Sequence, residues 1–108
     1  MLLHGWVEKG VIERDTIYGL ELLNEPWGVD ASVWEEVRER FYPRGYEVVR
    51  NSTGYTEEWV VAVQQAFRPW YEFYGFMDEG YTNVALDMHS YHAFGPLWNY
   101  VASLDTAW

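Results

Sequence analysis

At 108 residues, 49% hydrophobic and 22% charged, the chain has the size and composition of one small globular domain rather than a disordered segment. Its net charge of -10 excludes nucleic acid as an expected partner, and it contains no apolar run of about 18 residues that could span a membrane. Cysteine is absent, which removes disulfides and thiolate chemistry, while 7 Trp, 9 Tyr and 5 Phe are more aromatics than a core alone requires and suit a stacking surface.

The start, "MLLHGWVEKG", has neither a basic lead nor a long apolar stretch, so no signal peptide is expected. Ile17 to Leu23 is nearly continuous apolar sequence and predicts a strand buried on both faces, as in a parallel sheet. Ser32-Val33-Trp34-Glu35 reads as a capping box that opens a helix, and apolar residues recur at helical spacing from Val33 to Val49. Pro43 falls inside that helix and is expected to kink or interrupt it. Asn51 to Gly54 reads as a turn, and Asn51-Ser52-Thr53 also matches a glycosylation triplet. "WVVAVQQAF", from Trp59 to Phe67, predicts a second strand, and residues 70–79 a short helix. "NVALDMH", Asn83 to His89, predicts a third strand; Gly95-Pro96 breaks the chain, and residues 97–108 begin another helix. Strands alternating with helices imply an α/β fold with a parallel sheet. Three such strands leave two apolar edges unpaired, which suggests a slice of something larger.

In α/β folds the reactive residues gather at the carboxyl ends of the strands. Those ends hold Asn24-Glu25, Gln65 to Phe67, and His89 to Tyr91. By strand alternation Asp87, His89 and Tyr91 share one face, as do Glu21, Leu23 and Glu25. Polar groups on a hydrophobic sheet are costly unless partnered or used. Pro26 is expected to hold Glu25 in an extended conformation and so to aim its carboxyl. A partly desolvated carboxyl keeps its proton longer, which suits a general acid. From Asn24-Glu25-Pro26 alone, a solvated glutamate capping the next loop is the simpler reading. His89 alone reads as a hydrogen-bonded core histidine. His89 and His92 also suggest a metal pair with Asp87, but three apart on a strand the two histidines fall on opposite faces, so no metal site is expected. Trp27, Phe67, Phe94 and Trp98 stand just past strand ends, where aromatics either pack or stack against sugars.

"IYGLELLNEP", "VAVQQAF" and "NVALDMHSYHAFG" together resemble family 5 of the glycoside hydrolases (clan A, cellulase-like), in particular its exo-β-1,3-glucanase branch. The resemblance runs from about residue 11 to the end of the chain. It implies a (β/α)8 TIM barrel, of which residues 1–108 form a partial catalytic domain, truncated at both ends and carrying about strands four to six with their helices. Glu25 matches the acid/base, Asn24 the residue that binds the sugar 2-hydroxyl, and His89 and Tyr91 the pair on strand six. Phe67 and Phe94 match aromatics at the entrance subsite; Trp27 and Trp98 are further substrate-binding candidates. The implied reaction is retaining hydrolysis of O-glycosidic bonds in β-glucan polysaccharide or oligosaccharide, with no cofactor. The implied setting is extracellular or the cell surface. A retaining glycosidase needs a second carboxyl about 5–5.5 Å from the first. In the family that nucleophile stands on strand seven, beyond Trp108, so the isolated chain is expected to be inactive and to need the remaining barrel segments. The alternative is a non-catalytic sugar-binding or inactive barrel remnant.

Overall fold

The computed structural model describes residues 17–52 and 58–90. Three strands, β1 (Gly19–Glu21), β2 (Val60–Gln64) and β3 (Val84–Asp87), lie side by side in that order and all parallel. Gly19 pairs with Val60 and Glu21 with Ala62; Val61 pairs with Val84 and Gln64 with Asp87. The helix expected from the spacing of Val33 to Val49 lies between β1 and β2, and a single 3-10 turn, Trp70–Phe73, stands between β2 and β3 where a short helix was expected.

Each strand is shorter than its apolar run. β1 ends at Glu21 rather than Leu23, and β2 ends at Gln64 rather than Phe67. Past β2 the backbone enters the left-handed region at Ala66 (φ 56) and Phe67 (φ 57), which no strand tolerates. The turn is held by Gln64, whose side-chain Oε1 accepts the Ala66 N–H at 2.5 Å. A strand's apolar run thus continues into a turn because the turn residues are also buried.

The helix starts at α1 (Ala31–Glu36), and its cap is Asp30, not Ser32. Asp30 Oδ1 accepts from Ser32 N (2.8 Å), Val33 N (3.3 Å) and Ser32 Oγ (2.6 Å), so Ser32 sits inside the first turn. Pro43 does not break the helix. A π-helical turn, Val37–Phe41, precedes it, and α2 (Tyr42–Ser52) then runs on. Within that wide turn the Tyr42 N–H reaches back five residues to the Val37 carbonyl. In an ordinary α-helix the Pro43 ring would press on the carbonyl four residues earlier, and the wider turn relieves that contact. Asn51 and Ser52, expected in a turn, finish α2. Residues 97–108, expected to start a helix, lie outside the described residues.

One face of the sheet is covered by this helix. Val61 and Val63 from β2 are fully buried there with Trp34, Val37, Tyr42 and Val49. The covering helix comes close because Gly45 has no side chain: a Cβ there would stand 2.8 Å from Leu22 Cδ1. The Tyr42 hydroxyl donates to the Gln64 carbonyl at 2.6 Å, and burial pushes its pKa up to about 12. The register puts Glu21, Ala62, Gln64, Ala85 and Asp87 on the opposite face. No helix among the described residues is long and apolar enough to cross a membrane.

Candidate active site

The chain leaves β1 through Leu22 and Leu23 and turns sharply at Asn24-Glu25. Glu25 has φ 46, so it is left-handed and not extended, as Pro26 had suggested. The preference for an extended residue before proline is local. Here it is overridden by the buried loop that follows, in which Pro26 and Gly28 are packed away from solvent and the Gly28 N–H bonds the Pro26 carbonyl at 2.7 Å. A Cβ on Gly28 would lie 2.4 Å from the Ala66 carbonyl oxygen, so this loop is pressed against the turn that ends β2. The same twist ends the alternation expected for Glu21, Leu23 and Glu25.

His89 arrives two residues past the end of β3. Its backbone N–H donates to Gln65 Oε1 at 3.2 Å, while the Gln65 N–H donates to the Asp87 carbonyl at 3.0 Å. The two strand ends are thereby locked together. The imidazole lies between two carboxyl groups: Nδ1 is 2.8 Å from Glu25 Oε1, and Nε2 is 2.8 Å from Asp87 Oδ2. Glu21 stands beside Asp87. The His89 pKa is raised, chiefly by its bond to Glu25 and then by Asp87. The Glu21 pKa is raised too, by desolvation and then by the Asp87 carboxyl beside it.

Ligand atoms of Glu21, Asp87 and His89 lie within 4.8 Å of one another, a spacing that a cation could bridge. The contacts at hydrogen-bond distance point another way. Each needs a proton between its two atoms, and a metal ion needs those protons gone. The group is a hydrogen-bonded network.

Of the residues singled out in the sequence, Glu25 and His89 are in contact, and Asn24 stands exposed beside them. Trp27 and Phe67 meet as a ring pair with centroids 5.4 Å apart, and Trp27 is 61% exposed. Behind them Arg68 makes a two-pronged bond to Glu72 (3.0 and 2.7 Å) and reaches the Gly28 carbonyl at 3.5 Å. Tyr91, Phe94 and Trp98 lie outside the described residues. Gln65, Asp87 and Glu21 were absent from the candidate site. Their signal was legible: each is a polar residue inside or at the end of an apolar strand, where an unpartnered polar group is costly.

No family model matches the chain, and no solved structure does. Curated proteins do. The chain is 36% identical over 85 residues to a glucan 1,3-beta-glucosidase of Yarrowia lipolytica, covering 77% of this chain and 19% of that protein. It is 33% identical over 82 residues to glucan 1,3-beta-glucosidase I/II of Saccharomyces cerevisiae, covering 74% and 18%. With glucan 1,3-beta-glucosidase 2 of Wickerhamomyces anomalus the figures are 38% over 85 residues, 76% and 18%. The chain is therefore related to glycoside hydrolases, and it spans about a fifth of the length of the curated relatives it matches.

Proposed function

We propose that the chain is the acid/base-bearing part of a family 5 glycoside hydrolase that cleaves β-glucan, with Glu25 protonating the leaving glycosidic oxygen. The observation that carries the reading is the contact between Glu25 and His89 at the carboxyl ends of parallel strands. Such ends are where α/β enzymes keep their chemistry. The similarity to glucan 1,3-beta-glucosidases supports the substrate. The sheet, whose parallel strands lie in chain order with a helix between the first two, fits the arc of a (β/α)8 barrel.

In this reading the chemistry is retaining. Asp87 and Glu25 stand on opposite sides of the His89 ring, so the ring fills the space where a sugar would have to sit between a nucleophile and an acid. The nucleophilic carboxylate therefore comes from outside the described residues. Asn24, exposed next to Glu25, is placed to bind a sugar hydroxyl, and the Trp27–Phe67 pair offers a stacking wall. The substrate is a β-1,3-linked glucan, as the relatives' names suggest.

Leaving-group dependence tests the role of Glu25 in the full-length gene product. Glu25→Gln is expected to lower kcat on laminarin by about 10²–10⁴-fold, the usual worth of general acid catalysis. On dinitrophenyl β-glucoside, whose leaving group needs no proton, the first step should be nearly unaffected. Equal losses on both substrates would refute the acid role.

A further inference from the structure

We infer that Gln65 is the positioning residue of this site: its side-chain amide clamps the His89 backbone to the turn that ends β2, and through His89 it fixes where the Glu25 carboxyl stands. The inference deepens the acid/base reading above and rests on it for its catalytic meaning, though not for its geometry.

The clamp replaces a missing rung of the sheet. β2 and β3 pair in parallel from Val61 and Val84 to Gln64 and Asp87. The ladder runs one bond further, from the Gln65 N–H to the Asp87 carbonyl at 3.0 Å. In a regular parallel ladder the next bond would join the His89 N–H to the Gln65 backbone carbonyl. That carbonyl has turned away with the left-handed residues Ala66 and Phe67, and it accepts the Arg68 N–H at 2.9 Å instead. The His89 N–H donates to the Gln65 side-chain Oε1 at 3.2 Å. A side chain thus supplies the rung that the backbone gives up. It carries the register of β3, which ends at Asp87, two residues further to His89.

The chemistry of the contact selects an amide. Gln65 Nε2 donates to the Arg68 carbonyl at 3.0 Å while Oε1 accepts from His89. A flipped amide would set donor against donor and acceptor against acceptor, so the neighbours allow this orientation alone. A carboxylate has no donor for the Arg68 carbonyl, and an apolar side chain has neither group. Gln65 is 9% exposed, so a mismatch there would leave buried polar groups unpaired. Arg68 is a fixed anchor, because its guanidinium is tied to Glu72 by bonds of 3.0 and 2.7 Å and lies 5.9 Å from the Trp34 ring. His89 is held from this anchor by its backbone, and its ring Nδ1 meets Glu25 Oε1 at 2.8 Å. A contact of that length fails when either partner moves by about 1 Å, and misplacement on that scale costs an active site up to about 10²-fold. Gln65 touches no substrate in this scheme; it acts through His89 on the group that gives the proton.

Hydrogen exchange and leaving-group dependence in the full-length gene product test this. Labelling methionine carbonyls with ¹³C and histidine nitrogens with ¹⁵N picks out the His89 amide through Met88. In the wild type that amide should exchange slowly although it lies past the end of β3. Exchange at the rate of an open loop overturns the inference, and needs no variant to fold. Gln65→Met keeps the length of the side chain and removes both of its bonds. It should speed His89 exchange by about tenfold, the net worth of one hydrogen bond. The His89 ring midpoint, held up chiefly by Glu25, should fall toward the ordinary 6.5. On laminarin kcat should drop by about 10–10²-fold with KM little changed. The first step on dinitrophenyl β-glucoside should be nearly unaffected, because its leaving group needs no proton. Unchanged exchange or an unchanged midpoint overturns the inference. So do equal losses on both substrates where Glu25→Gln separates them, since a merely structural glutamine would act that way. If Glu25→Gln itself costs both substrates equally, the acid role of Glu25 falls, while faster exchange and a lowered midpoint in Gln65→Met leave the clamp standing.

Discussion

His89 couples this site to pH, and the sign of the coupling follows from its neighbours. Its pKa is raised above the ordinary 6.5 by Glu25 first and Asp87 second. The stabilisation it contributes is therefore fully present below that ordinary value and is lost as pH rises through the raised one. Glu21, raised above its ordinary 4.5, works in the same direction: its contribution is lost as pH rises through its own raised value. Both slopes loosen the cluster toward alkaline pH. Urea midpoints of wild type and His89→Gln should therefore differ most near about pH 6 and converge toward about pH 9. A difference that widens with pH would contradict the network. At this scale strand-end position made Glu25 and His89 candidates, and the family resemblance gave them their expected roles. The sequence misjudged the backbone of Glu25, because the rule for residues before proline knows nothing of the loop packed behind.

At the scale of elements, the two loops that end β1 and β2 behave as one body. Gly28 touches the Ala66 carbonyl, Arg68 bonds both Glu72 and the Gly28 carbonyl, and Trp27 rests against Phe67. Gly28→Ala puts a methyl group 2.4 Å from backbone oxygen, and backbone cannot swing aside as a side chain can. The variant is expected to lose about 1–3 kcal/mol of stability, the usual cost of overpacking. It should also displace the exposed Trp27 ring, which a shift in tryptophan emission would report. Unchanged stability and emission would mean the two loops are not coupled. The helix gives a second lesson at this scale. Pro43 predicts a kink or interruption, and the π turn in front of it interrupts the α-helical pattern while letting the helix run on as α2. Hydrophobic spacing showed a helix over this span, but no periodicity announces where one residue is absorbed into a wider turn.

For the whole molecule, the two sheet faces have opposite characters. Val63 is buried under Tyr42 on the helix side. The open side carries Glu21 and Asp87 at its carboxyl end. Among the described residues the carboxyls near Glu25 are those in line with His89, and none stands across from it as a nucleophile. Groups that act as a unit lose most of their effect when one is removed. The 108-residue chain by itself is therefore expected to release no reducing sugar from laminarin at an enzymatic rate. Robust turnover by that chain would require a nucleophile among its own residues and would sink the two-part reading.

The sequence by itself determined the parallel α/β order, the helix between the first two strands, and the strand ends where Glu25 and His89 stand. These follow from apolar periodicity and from proline and glycine punctuation, which are local and written directly in residue spacing. Only the tertiary structure decided that His89 bridges Glu25 and Asp87, that Glu21 stands beside Asp87, and that Trp27 pairs with Phe67. Glu25 and His89 are 64 residues apart, and their contact depends on strand register and on the sharp turn at Glu25. Register turns on which residue of one strand faces which of the next, and a slip of one would send Glu21 and Asp87 to the buried face.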